Sequence, residues 1–135
     1  MMANFGFVYV LSNPWMPDVY KIGYTDRAPM QRVQELSAST SCPGAFEIVV
    51  YGEFDGAQEV ERQLHKDYEE NRILMSREFF HFNPHTVLDV VDWIKENSVH
   101  STEGDLSGLY FKIHLENTER EQAGLKLVCV SDAQG

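Results

Sequence analysis

The hydrophobic and polar positions divide the chain into short, well-separated segments. Residues 5–11, FGFVYVL, are aromatic and β-branched and read as a strand. The turn residues Ser12-Asn13-Pro14 follow, and residues 18–24 form a second strand-like run ending at Thr25-Asp26. The pair predicts a hairpin. Alternation along its second arm puts Tyr20, Ile22 and Tyr24 on one face and Lys21 with Gly23 on the other. Pro29, with Thr25 or Asp26 as cap, opens a helix over 29–38. Met30, Val33 and Leu36 recur at helical spacing and are expected in the core, with Arg32 emerging at the rim.

A turn-rich stretch over 37–44 leads to a third strand over 46–54, whose nearly continuous apolar run suits a central position. Asp55-Gly56 then turns the chain into a helix over 57–71. Its stripe is Ala57, Val60, Leu64 and Tyr68, while Glu61 and His65 sit four apart on an adjoining face. After a connection over 72–77, EFFHF at 78–82 is a short apolar strand or turn. Pro84 opens a third helix over 84–97, buried through Val87, Leu88, Val91 and Ile94. Beyond residue 98 the pattern weakens. Residues 99–107 read as a linker, 109–115 and 125–130 as strands, and 116–124 as a helical turn or a long loop. The two strands would pair with each other or with a second subunit, giving a homodimer through this extension.

The expected fold is therefore α/β of the α+β kind, in the order ββαβαα. A small, mostly antiparallel three-stranded sheet is flanked by helices, and a C-terminal β-rich extension follows. The domain proper would span 5–97, with 98–135 as an extension of unassigned role. A chain of 135 residues, 43% hydrophobic and 24% charged, fits one folded domain of this size. No apolar run approaches the roughly 20 residues that cross a bilayer, so no membrane contact is expected. The N-terminus has no basic segment followed by an apolar one, and Cys42 and Cys129 have no metal-like spacing. A cytoplasmic protein with two reduced thiols is the expectation.

The net charge of −10 excludes tight, sequence-blind coating of nucleic acid, which depends on Lys and Arg releasing counterions. It leaves room for a local cationic site, because screening at physiological salt acts over about 8 Å. Residues 21–32 hold Lys21, Arg27 and Arg32 against Asp26. The hairpin offers Tyr9 and Lys21 from neighbouring strands, and the helix adds Arg32 at the same end. A phenol, an ammonium and a guanidinium gathered there suit a phosphate ester.

Four signatures then occur in order: Phe7-Val8-Tyr9, Lys21-Ile22-Gly23, Arg32 on the next helix, and Arg77-Glu78-Phe79-Phe80, with Leu64-His65-Lys66 between the last two. Together, over roughly residues 5–97, they resemble the GIY-YIG nuclease superfamily. Lys in place of the Tyr of the second tripeptide is a variant familiar in its branch named for a phage open reading frame and a meiotically up-regulated gene, and in some restriction enzymes, and the later signatures also look like that branch. The resemblance implies a divalent-metal-dependent endonuclease acting on DNA. In it Glu78 would hold one Mg²⁺ (or Mn²⁺), Tyr9 would activate or orient water, and Arg32 would clamp the scissile phosphate. Lys21 would lower the pKa of Tyr9 or hold a phosphate, and His65 would be a general acid or phosphate ligand. Gly23 and Arg27 would line the substrate path. A second class stays open: a nucleic-acid-binding or protein-interaction module that keeps the fold without efficient cleavage.

Overall fold

The computed structural model describes residues 5–38, 45–73 and 78–124. The hairpin forms as expected. Strand β1 (Phe5–Ser12) pairs antiparallel with β2 (Val19–Thr25), setting Tyr9 opposite Gly23 and Leu11 opposite Lys21. Helix α1 (Pro29–Ser37) starts at Pro29, but its N-cap is Ala28 and no side chain caps it. Thr25 instead accepts a hydrogen bond from the Arg27 amide, 3.1 Å, and shapes the turn before the helix. Met30 faces solvent, so the inner stripe is Val33 and Leu36.

Strand β3 (Glu47–Asp55) lies on the other side of β1, with Tyr9 opposite Tyr51 and a bulge between Val10 and Leu11. Gly56 turns the chain in the left-handed region, φ 73°, into α2 (Ala57–Asp67), which ends four residues short of the expected position 71. A 3-10 turn, Glu69–Asn71, completes that segment. Strand β4 (Phe79–His81) joins the outer edge of β2. Helix α3 (Pro84–Asn97) follows, with Asn83 as N-cap accepting from the Thr86 amide at 2.9 Å.

Among the described residues the sheet has five strands, not three. Its order is β4-β2-β1-β3-β5, antiparallel throughout, with β5 (Ser101–Glu103) at the far edge of β3. Three exposed residues, Ser-Thr-Glu, carry no hydrophobic alternation, and this is why a linker is the natural reading there. The C-terminal extension also differs. Residues 109–115, expected as a strand, lie inside helix α4 (Ser107–Gln122). The run LYFKIHL satisfies a period of two and also places Leu109 and Ile113 one helical turn apart. Tertiary packing decides for the helix: Leu106, Leu109 and Ile113 enter the main core, and Lys112 pairs with Asp18 of the hairpin loop at 3.5 Å. The strand expected at 125–130 lies outside the described residues.

The β1 side chains separate two cores. Val8 and Val10 point into the larger one, filled by α3, by Leu64 of α2 and by α4. Tyr9 and Leu11 point to the opposite face, where Val33, Phe46 and the partly buried Leu36, Ile48, Tyr51 and Phe79 lie. The α1 face of the sheet is thus the thinner layer, and it carries the polar residues described below. Among the described residues no helix is long and apolar enough to cross a membrane.

The helical register of α4 is testable by truncation. Ile113→Ala should cost about 2–5 kcal/mol in denaturant unfolding, as for other buried large-to-small changes. Phe111→Ala, on the exposed face, should stay within about 0.5 kcal/mol. A strand would bury both alike, and equal losses would contradict the helix.

Candidate active site

The site grows from the Tyr9–Gly23 pair. A Cβ on Gly23 would lie 2.4 Å from the Tyr9 hydroxyl oxygen and 2.6 Å from Cζ, so the phenol ring occupies the space that glycine leaves empty. This brings the hydroxyl of an almost completely buried tyrosine, 1% exposed, across β2 towards α1. There the Arg32 guanidinium donates a hydrogen bond to it. Burial pushes the Tyr9 phenol up from its usual range, and Arg32 acts in the opposite direction, favouring the phenolate.

Two residues before Gly23, on the same face, Lys21 is buried and ion-paired with the Glu78 carboxylate. Its ammonium also lies 5.1 Å from the centre of the Phe79 ring, which stacks on Phe46. Glu78 stands immediately before β4 and is held from the backbone: its carbonyl accepts from the Ile22 amide at 3.0 Å. Its carboxylate remains about two-fifths exposed. Charge links the two halves. Glu78 disfavours ionisation of Tyr9 and stabilises the Arg32 cation.

Arg27 is at the rim. It pairs with Glu35 at 2.8 Å, and Arg32 approaches the same carboxylate at 4.0 Å. His65 comes from α2 on the outer side of β2. Its Nε2 donates to the Ile22 carbonyl at 2.8 Å, and its ring meets the face or edge of Phe80 with centroids 5.1 Å apart. Glu61 stands one turn earlier on the same helix. Burial and the neighbouring Glu78 raise its pKa, while His65 and Lys21 oppose that rise. Helical spacing pairs Glu61 with His65 in the sequence, but nothing in the spacing says that His65 reaches the Ile22 carbonyl.

Tyr9, Lys21, Arg32 and Glu78 are thus brought into one neighbourhood over the α1 face, with Gly23 beneath the phenol. His65 and Glu61 approach from the side of β2, and Arg27 joins through Glu35. The donor set suits a hard divalent cation: a half-open carboxylate at Glu78, a second carboxylate nearby at Glu61, and room for waters on the exposed side. Among the described residues no group of three or more His, Cys, Asp and Glu side chains is gathered as in a metal cage. A cation here would be held mainly by water and one or two carboxylates.

Two measurements follow. Gly23→Ala should destabilise the chain by about 1–3 kcal/mol, since the methyl group must displace a packed ring, and Tyr9→Ala in the same background should recover much of that loss. In ultraviolet titration, the tyrosine signal lost in Tyr9→Phe should ionise above the ordinary value of about 10. Arg32→Ala should move it higher still, because the cation that favours the phenolate is gone. A Tyr9 that ionises earlier in Arg32→Ala would contradict the contact.

The T5orf172 domain profile matches residues 6–95, from β1 to the last turn of α3, and leaves β5 and α4 beyond the match. No curated protein and no solved structure matches the chain.

Proposed function

The chain belongs to the T5orf172 domain family, and from that premise we propose that it is an endonuclease hydrolysing DNA phosphodiester bonds with one divalent cation, in the manner of the GIY-YIG enzymes and with Lys21-Ile22-Gly23 as the second tripeptide. One observation carries the reading: the Tyr9–Arg32 and Lys21–Glu78 pairs stand side by side on one face of the sheet. A family of endonuclease type supplies the chemistry that such a constellation fits.

In this reading the phosphate enters between Arg32 and Lys21. Arg32 offers a planar fork to two phosphoryl oxygens, stabilising the charge that builds there as water attacks phosphorus. Lys21 exchanges its carboxylate partner for a phosphoryl oxygen. Tyr9, kept protonated near neutrality by burial, orients the attacking water through its hydroxyl rather than removing a proton in bulk. Glu78 is the residue that would hold Mg²⁺ or Mn²⁺, with Glu61 nearby. When bound, such an ion supplies Lewis acidity and a more acidic water. Arg27 and the open rim beside Glu35 would carry the neighbouring phosphate. His65 takes no proton in this scheme, its Nε2 already donating to Ile22.

Two observations favour a second reading, a nucleic-acid-binding module that cleaves poorly or not at all. Tyr9 and Lys21 are both nearly inaccessible, and the chain carries a net charge of −10. Supercoiled plasmid separates the two. The nuclease should nick it with Mg²⁺ or Mn²⁺, lose activity in EDTA, and lose it in Glu78→Ala. Arg32→Ala should fold and turn over about 10²–10³-fold more slowly, the usual scale for one charge-stabilising donor. A salt-sensitive shift of DNA mobility without nicking under any metal would decide for the module.

A further inference from the structure

The loop that joins β1 to β2, Asn13 to Asp18, is NPWMPD, and its backbone is held at several points. The Asn13 carbonyl accepts from the Met16 amide at 2.9 Å, closing a four-residue turn with Pro14 in second place. The Asn13 side chain, itself buried, accepts from the Trp15 amide at 2.9 Å. The Met16 carbonyl accepts from the Val19 amide at 3.2 Å, and the Asp18 carbonyl from the Phe82 amide at 3.0 Å. Asp18 lies in the left-handed region, φ 65°, and its carboxylate meets Lys112 of α4 at 3.5 Å. Met16 packs against the smaller core, as Phe79 does. On this braced loop the Trp15 side chain is 74% exposed. The second tryptophan, Trp93, is by contrast stacked on Phe54.

A single exposed apolar side chain is ordinary on a protein surface. Trp15 differs in its place and in what the site beside it lacks. The two strands that carry Tyr9 and Lys21 run directly into its loop: Lys21 pairs with Leu11, and the next pair is Tyr20 with Ser12. Three steps along β2 lead from Lys21 back to Asp18, about 10 Å of strand. That is about three nucleotide steps along one nucleic-acid strand. The cations gathered at the site are Lys21, Arg27 and Arg32, in a chain of net charge −10. So few phosphate contacts bind weakly and fade as salt rises, whereas tight binders make about 6–10 of them. The contact that adds most is therefore one that needs no charge. An indole face is such a contact, because every base has a face to stack on it. With its backbone fixed and two side-chain torsions to settle, Trp15 gives up little freedom on binding.

We infer that Trp15 stacks on a nucleobase of the substrate, beside the phosphate held at Arg32 and Lys21. This rests on the reading of the site given above and names its substrate class. A base offers its face only when it has left the duplex stack. The preferred substrate is thus single-stranded, or carries an unpaired base within about three nucleotides of the cleaved bond. Helix α4, beyond the family match, takes part by holding the loop at Asp18 through Lys112.

The test follows the anisotropy of a short dye-labelled oligodeoxythymidylate in EDTA, alone and annealed to its complement, with thermal unfolding as the control on folding. Trp15→Ala should bind the single strand about tenfold more weakly and the duplex as the parent does. Trp15→Phe, which keeps a ring, should recover part of the loss. The ratio of parent to Trp15→Ala affinity should be the same at about 50 and about 200 mM salt, because stacking releases no counterions. In Trp93→Phe, where Trp15 is the remaining tryptophan, the single strand should quench the emission. Equal single-strand binding by the parent and Trp15→Ala overturns the inference. So does an equal loss on the duplex, and so does a parent that binds neither. Because binding is read without cleavage, the two proposals fail separately. A chain that stacks through Trp15 but never nicks keeps this inference and loses the nuclease. Nicking by a chain whose single-strand affinity is untouched in Trp15→Ala keeps the nuclease and loses the stacking.

Discussion

Everything in the site depends on a phenol ring lying where a side chain is missing. β1 is the middle strand and is buried on both faces, so its register against β2 is fixed by apolar contacts on two sides: Val8 and Val10 below, Tyr9 and Leu11 above. A slip of one residue would send each of these to the wrong layer. That register places Tyr9 opposite Gly23, and the vacancy at Gly23 lets the ring lean across β2. The hydroxyl then meets Arg32 at the edge of α1. A buried tyrosine hydroxyl needs a hydrogen-bond partner, and Arg32 is one that can also face solvent. The same contact satisfies the fold and supplies an aligned guanidinium.

The electrostatics are local despite the overall charge. Near the site Lys21 and Arg32 stand against Glu78 and Glu61, so the neighbourhood is close to neutral before anything binds. Two unit charges 4 Å apart interact by about 1 kcal/mol in bulk water and several times more at a protein surface. Charges beyond about 8 Å are screened at physiological salt. The acids of the α2 end and the C-terminal helix thus contribute little to the potential felt between Arg32 and Lys21. They still weaken any general attraction to a polyanion. The consequence is a surface that can hold a polyanion only through a few defined contacts.

Much of this was legible in the sequence where residue type and period agree. The hairpin, α1, β3, the start of α2 and the whole of α3 follow from β-branched runs, apolar stripes, and prolines that open helices. Tyr9, Lys21 and Arg32 could be grouped from the hairpin and the helix that follows it, while Glu78 was named through the resemblance of the Arg77-Glu78-Phe79-Phe80 signature. β4 was legible only as a strand or turn, because three residues give no period. β5 was not legible, because Ser-Thr-Glu pairs with β3 while burying no apolar side chain. α4 misled because aromatic and β-branched residues favour strands locally, while burial of Leu106, Leu109 and Ile113 against α3 overrides that preference. The contact of His65 is invisible for a different reason: its partner is the backbone carbonyl of Ile22, and any residue can supply a carbonyl.

Burial of Lys21 decides how the site can open. An ammonium at about 4% exposure is tolerated only with a partner, since stripping a buried charge of its counterion costs several kcal/mol. Glu78 is that counterion, and its outer side is in water. The carboxylate therefore does not leave Lys21 until another anion takes its place. A phosphate oxygen delivered beside Arg32 is such an anion, and it arrives already half-neutralised by the guanidinium. Under the proposed function, exchange of carboxylate for phosphate would keep Lys21 paired throughout and leave Glu78 free for other ligands. Water offers no charge and cannot drive the exchange. Under the proposed reading, the closed pairing of the free protein is then what burial requires, and opening is coupled to arrival of the substrate's own charge.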